Sequence, residues 1–203
     1  MTIDEGYTKF ECNWTECELP KFRETDELCR WRRPLYDAGL IGIYADAGIG
    51  FGNISMRIDS GPEFLISGTQ TGHLRDVGPQ HFSLVTNADP ERNRVSCRGL
   101  IQASSESMTH ATLYQTDSSI MAVVHVHSRL LWNRLAGQIP TTDTAVAYGT
   151  PEMASEFARL WRESDFRTTG VAVMGGHEEG LVSIGETMAV AATKLLELQE
   201  RLP

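Results

Sequence analysis

Two histidines one residue apart, His125 and His127, stand in the run Ala122-Val123-Val124-His125-Val126-His127-Ser128. Val123, Val124 and Val126 are β-branched and suit a pleated, half-buried surface, so the run predicts a short strand. Residues two apart on a strand project from one face. That sets the two imidazoles side by side, with Cα atoms roughly 7 Å apart. Two neutral ring nitrogens aimed at one point are half of a metal site, with bonds of about 2.0–2.1 Å if the ion is zinc. A third ligand must then come from elsewhere. The competing reading is a pair of half-exposed histidines facing carboxylates across a sheet.

Four further segments carry chemistry. At Gly52-Asn53 a glycine lets the backbone approach a ligand and present its amides, or simply opens a strand. Ser67-Gly68-Thr69 combines small hydroxyls with a flexible backbone, as an anion nest or a hairpin exit would. Ser104-Ser105-Glu106 places hydroxyls and free amides at a predicted helix start, which is either an anion site or plain capping. Glu106 and His110, four apart, share a helical face and could converge on one point. Alternatively, His110 is a hydrogen-bonded packing residue. Last comes His177, directly after Gly175-Gly176, where tight backbone geometry would place a side chain accurately. Glu178 and Glu179 beside it read as a solvated turn.

These segments need a frame. Residues 1–24 are polar and aperiodic and are assigned no regular element. A helix is predicted from Thr25 as N-cap, with Leu28, Trp31 and Leu35 on one side, a kink or break at Pro34 and a stop at Gly39. Ile54–Ile58 and Glu63–Ile66 read as a hairpin, residues 81–86 as a strand, and Asn87–Asn93 as a turn leading to a pairing strand at Val95–Gly99. Ser104-Ser105 would cap a helix from Glu106 to about Thr116. Short helices follow near Leu130–Leu135 and from Pro151 to Trp161. Val171–Met174 and Leu181–Ile184 read as strands, and an amphipathic helix runs from Glu186. Hairpins mixed with helices, without strict βαβ alternation, predict α/β layers around a largely antiparallel sheet.

At 203 residues the chain is expected to form an N-terminal extension over 1–24 and a single domain over 25–203, burying about 70% of its unfolded surface. The net charge of -9 argues against a nucleic-acid footprint, which is normally basic. No apolar run reaches the roughly 20 residues of a membrane helix, and no secretory leader is evident. Cys12, Cys17, Cys29 and Cys97 form no dense framework. The expectation is free thiols in a reducing cytoplasm.

Gly-Asn-Ile-Ser, Ile-Ser-Gly-Thr, Ser-Ser-Glu, His-Val-His and a late Gly-His before Gly-Leu occur in this order. In that ordered set the chain resembles the class II aldolase/adducin family over about residues 28–198. The resemblance implies a three-layer α/β/α domain with a central, mostly antiparallel sheet, often assembled as a homotetramer. It implies that His125, His127 and His177 bind the metal and that Glu106 is the catalytic acid/base, able to touch the metal when substrate is absent. Gly52, Asn53, Ser67, Gly68, Ser104 and Ser105 would hold the substrate's phosphate. The cofactor it implies is a divalent metal, zinc first, with Mn2+, Co2+ or Fe2+ as alternatives.

The sequence departs from the family at His177-Glu178-Glu179-Gly180, where extra residues precede the glycine. Family enzymes often use a tyrosine from a C-terminal tail or a neighbouring subunit. No tyrosine follows Tyr148 here, so that role is filled otherwise or is absent. The expected activity is a metal-dependent aldolase-type lyase that cleaves a C–C bond of a small sugar or sugar phosphate through a metal-stabilised enediolate. The alternatives are an epimerase or dehydratase with the same site, or a non-catalytic adducin-like assembly domain.

Overall fold

The valine-rich run around the two histidines is a fully buried strand in the computed structural model, which describes residues 8–201. In chain order the first elements are β1 (Glu11–Glu16), α1 (Arg23–Asp37), β2 (Gly42–Tyr44), β3 (Ile49–Phe51) and β4 (Asn53–Arg57). Then come β5 (Phe64–Ser67), β6 (Phe82–Asp89), β7 (Arg94–Gly99), α2 (Ser107–Thr116) and β8 (Ala122–His127). The chain continues through α3 (Arg129–Leu135), α4 (Pro151–Glu163), α5 (Phe166–Thr169), β9 (Val171–Val173), β10 (Gly180–Gly185) and α6 (Met188–Arg201).

Eight strands form one sheet in the order β1-β7-β6-β5-β4-β8-β10-β9, while β2 and β3 make a separate hairpin. Every pairing in the large sheet is antiparallel except β1 with β7. The pleat divides the core in two. Val123, Ile66, Val182 and Val85 face α2, α4 and α5 with Met108, Phe157 and Phe166. Val124, Val126, Leu65 and Leu181 face α1 and α6 with Leu28, Leu35, Met188 and Leu195. This is the expected three-layer α/β/α arrangement. By the same alternation His125 and His127, in step with Val123, lie on the α2 face of the sheet.

Five local expectations are corrected. The predicted N-cap Thr25 lies inside α1, whose cap is Phe22, and Pro34 sits within the helix without breaking it. Leu28 and Leu35, both wholly buried, flank the proline on the sheet-facing side and hold the helix in one piece. Strand β6 runs on to Asp89, so the turn is confined to the residues just before β7. Helix α2 takes Glu106, not Ser104 or Ser105, as its N-cap residue. Residues 11–16, assigned no element from sequence, form the edge strand β1 in parallel register with β7. Trp14 fastens that strand by donating its indole N–H to the Gly99 carbonyl at 3.0 Å. None of the helices in the described residues is long and apolar enough to cross a membrane.

Candidate metal centre

The pairing of β8 with β10 builds the site. Gly180 stands opposite His127 in the register, so His177, three residues earlier, comes over the end of β8. Gly176 makes this approach feasible: a Cβ there would lie 2.0 Å from the Val146 carbonyl oxygen, against which the backbone packs. On the other side β4 pairs with β8, setting Asn53 opposite His125. Gly52 enters β4 at φ 75°, and a Cβ there would sit 2.8 Å from Ile41 Cγ1. Only glycine suits such a turn beside the histidine strand.

The three rings converge. His127 Nε2 lies 3.0 Å from His125 Nε2 and 3.1 Å from His177 Nε2. One atom from each residue falls within 4.8 Å of the others, and all three side chains are buried. Hydrogen bonding determines where the protons sit. His125 Nδ1 must donate to the Leu181 carbonyl at 3.1 Å, because a carbonyl only accepts. His125 Nε2 therefore presents a lone pair. Burial is the largest cause holding the rings neutral. It brings His125 down to about 4, against a weaker upward pull from the Leu181 bond. It takes His127 and His177 well below the usual imidazole range, helped by neighbouring cationic forms. Neutral imidazoles with lone pairs aimed at one point, at separations near those of tetrahedral zinc ligands, fit a divalent cation.

The cleft around the trio is lined by Gly52, Asn53, Gly68, Ser104, Ser105 and Glu106, among others, and its free volume is ≈ 30 Å³. That admits a cation and a water molecule. Glu106 does not join the histidine cluster. Its Oε2 accepts from the Thr109 hydroxyl at 2.7 Å, while Oε1 is buried without a hydrogen-bond partner among the described residues. Burial raises this carboxyl to about 7, against smaller downward pulls from the Thr109 hydroxyl and the Lys9 charge. Asn53 Oδ1 is likewise buried without a partner among the described residues.

One expected residue is used differently, and one takes the alternative its sequence offered. Ser67 does not line the cleft; its hydroxyl accepts from the Ile54 amide at 3.1 Å and bridges β5 to β4. His110 takes its packing alternative, with Nδ1 2.7 Å from the Ser55 hydroxyl, which also meets the Tyr114 hydroxyl at 2.7 Å.

Sequence reasoning missed four neighbours. Tyr148 lines the cleft with its ring 4.5 Å from His177. Phe51 stacks on His127 with centroids 5.3 Å apart. Tyr44 places its hydroxyl 2.8 Å from His127 Nδ1. Glu179, expected in a solvated turn, accepts from that same hydroxyl at 2.7 Å. The one available signal was the pair of acidic residues interposed between His177 and Gly180. The aromatic residues carry no pattern that separates them from core.

A three-histidine cleft at the end of the interior strand β8 of a mostly antiparallel sheet, with a buried carboxyl beside it, marks an α/β/α protein with a candidate metal site. Residues 27–202 match the class II aldolase and adducin N-terminal domain, and the chain belongs to that family. No curated protein matches the sequence. Among solved structures, an L-fuculose-1-phosphate aldolase from Thermus thermophilus is 24% identical with TM-score 0.60, covering 88% of each chain. A sugar-phosphate aldolase from Thermotoga maritima is 18% identical with TM-score 0.63, covering 89% of this chain and 94% of that one. Another L-fuculose 1-phosphate aldolase is 18% identical with TM-score 0.65, covering 90% and 84%. At these identities the likeness is one of fold.

Proposed function

We propose that this protein is a divalent-metal-dependent aldolase-type lyase that cleaves a C–C bond of a small sugar or sugar phosphate. The observation that carries the reading is the convergence of three neutral imidazoles beside a carboxyl with one uncommitted oxygen. His125, His127 and His177 would hold the cation, zinc being the first choice. When bound, it supplies Lewis acidity for negative charge developing on substrate oxygens.

Glu106 is the proton carrier. Thr109 fixes its Oε2, leaving Oε1 to face substrate. With its carboxyl near 7, Glu106 exchanges a proton at neutral pH with little driving-force penalty in either direction. Gly52, Asn53, Gly68, Ser104 and Ser105 line the cleft, and the Asn53 side chain and the serines offer amide and hydroxyl donors to an anionic substrate group. Ser67 supports them through its bridge between β4 and β5. The expected assembly is a homotetramer.

The test joins metal analysis of purified protein with an aldehyde-release assay on a panel of ketose and aldonate phosphates. The expected result is near-stoichiometric divalent metal, aldehyde release from at least one substrate, and loss of both in His127→Ala. Metal without aldehyde release from any substrate would move the reading to an epimerase or dehydratase. Absence of metal would move it to an assembly domain.

A further inference from the structure

Behind His127 lies a chain of side chains that the cleft itself does not require. Arg129 Nε donates to Glu179 Oε1 at 2.7 Å. Glu179 Oε2 accepts from the Tyr44 hydroxyl at 2.7 Å, and the same hydroxyl lies 2.8 Å from His127 Nδ1. The Tyr44 hydroxyl has one proton, and a carboxylate can only accept it. The Tyr44 oxygen therefore accepts from His127 Nδ1–H, which leaves His127 Nε2 as the lone-pair nitrogen pointed at His125 and His177. Glu179 is held for this task by its backbone. It adopts φ 73°, in the left-handed region that non-glycine residues seldom occupy, and its carbonyl accepts from the Ser128 amide at 2.9 Å, just past the end of β8. Its side chain is 14% exposed, whereas that of Glu178, one residue away, is 59% exposed.

We propose that Tyr44 and Glu179 are positioning residues for the metal site: they fix the His127 tautomer and ring orientation and strengthen its donation to the cation. Carboxylates that act on a metal ligand from behind commonly contribute 10–100-fold in affinity. The inference rests on the reading that the histidine trio holds a divalent cation. It assigns a role to Glu179, one of the two acidic residues that separate His177 from Gly180.

The experiment measures Zn2+ affinity of the full chain by competition with a chromophoric chelator, together with the visible spectrum of the Co2+-loaded protein. Tyr44→Phe and Glu179→Gln should each weaken Zn2+ binding about 10- to 100-fold and shift the Co2+ bands. The double variant should lose little more than the worse single one, since both act through one hydrogen-bond chain. Glu178→Gln should bind like wild type. If Tyr44→Phe folds poorly, Glu179→Gln, which keeps the side-chain shape, decides the matter. Wild-type affinity and an unshifted Co2+ spectrum in both variants would overturn the inference while His127→Ala still loses metal. If wild type and His127→Ala alike bind no Zn2+, the metal reading itself falls.

Discussion

The Lys9 ammonium sits 3.8 Å from the centroid of the Tyr148 ring, on a ring that also packs against His177. Lys9 lies outside the family match, which begins at residue 27. It precedes the edge strand β1, and Asn93 holds its carbonyl with a hydrogen bond of 2.7 Å. A cation is thereby brought from the N-terminal segment to the mouth of the site, where its charge pulls the Glu106 carboxyl downward.

Removing that charge should move the pH dependence of turnover. In Lys9→Met the Glu106 carboxyl loses a downward pull, so it keeps its proton to higher pH. The acid-side limb of the kcat/KM profile should shift upward by a fraction of a pH unit while the high-pH plateau changes less. A pH–rate series on both proteins checks it; an unmoved limb would separate Lys9 from Glu106.

Glu106 links activity and stability with opposite trends. As a base it must be ionised, so activity should fall as pH drops through about 7. For stability the sign runs the other way: the folded pKa is above the unfolded value of 4.5. The native state then holds more protons than the unfolded one between those values, and stability declines as pH rises from about 4.5 to 7. Glu106→Gln should remove that decline, by at most about 3 kcal/mol at pH 8, and abolish turnover while retaining metal. Urea unfolding of metal-free protein at pH 5 and pH 8 measures the first effect, and metal analysis with a turnover assay the second.

Metal should stabilise the fold by mass action. At a free Zn2+ concentration of about 1,000 times its Kd the gain is about 4 kcal/mol, or roughly 8–16 °C in a chain of this size. Thermal unfolding with Zn2+ and with excess chelator reads this difference. His177→Ala should erase most of it, and a difference that survives in the variant would place the ion elsewhere.

Gly176→Ala should act on the same site through the backbone. The added methyl meets the Val146 carbonyl, so either the loop before α4 or the His177 turn must shift. A loss of about 1–3 kcal/mol in stability, with weaker metal binding, is expected. Denaturant melts and chelator competition provide the measurements.

The sequence carried the layered architecture because β8 and β9 are valine-rich runs, β10 is a short apolar run between glycines, and α4 and α6 have clear apolar stripes. The histidine pair was legible because His125 and His127 share a strand face by simple alternation, and the glycine pair before His177 marked a crowded turn, but only the family resemblance joined His177 to the pair. What escaped was set by tertiary contact. Strand β1 shows little alternation, being an exposed edge whose pairing with β7 is settled by register and by Trp14. Pro34 argued locally for a break that burial of Leu28 and Leu35 overrides. Ser67 looked like a ligand-facing hydroxyl, yet which way a strand serine turns depends on its neighbour, here Ile54. Tyr44 lies 83 residues from His127 in sequence, too far for any spacing rule to connect them.

The antiparallel match of β8 with β10 has one more consequence. A slip by a single residue would turn His125 and His127 to the opposite layer, away from His177. An ion gripped by all three rings would therefore tolerate only the correct alignment, fastening together the ends of a 50-residue excursion between His127 and His177. Capture of the cation would then double as proofreading of how the strands were assembled.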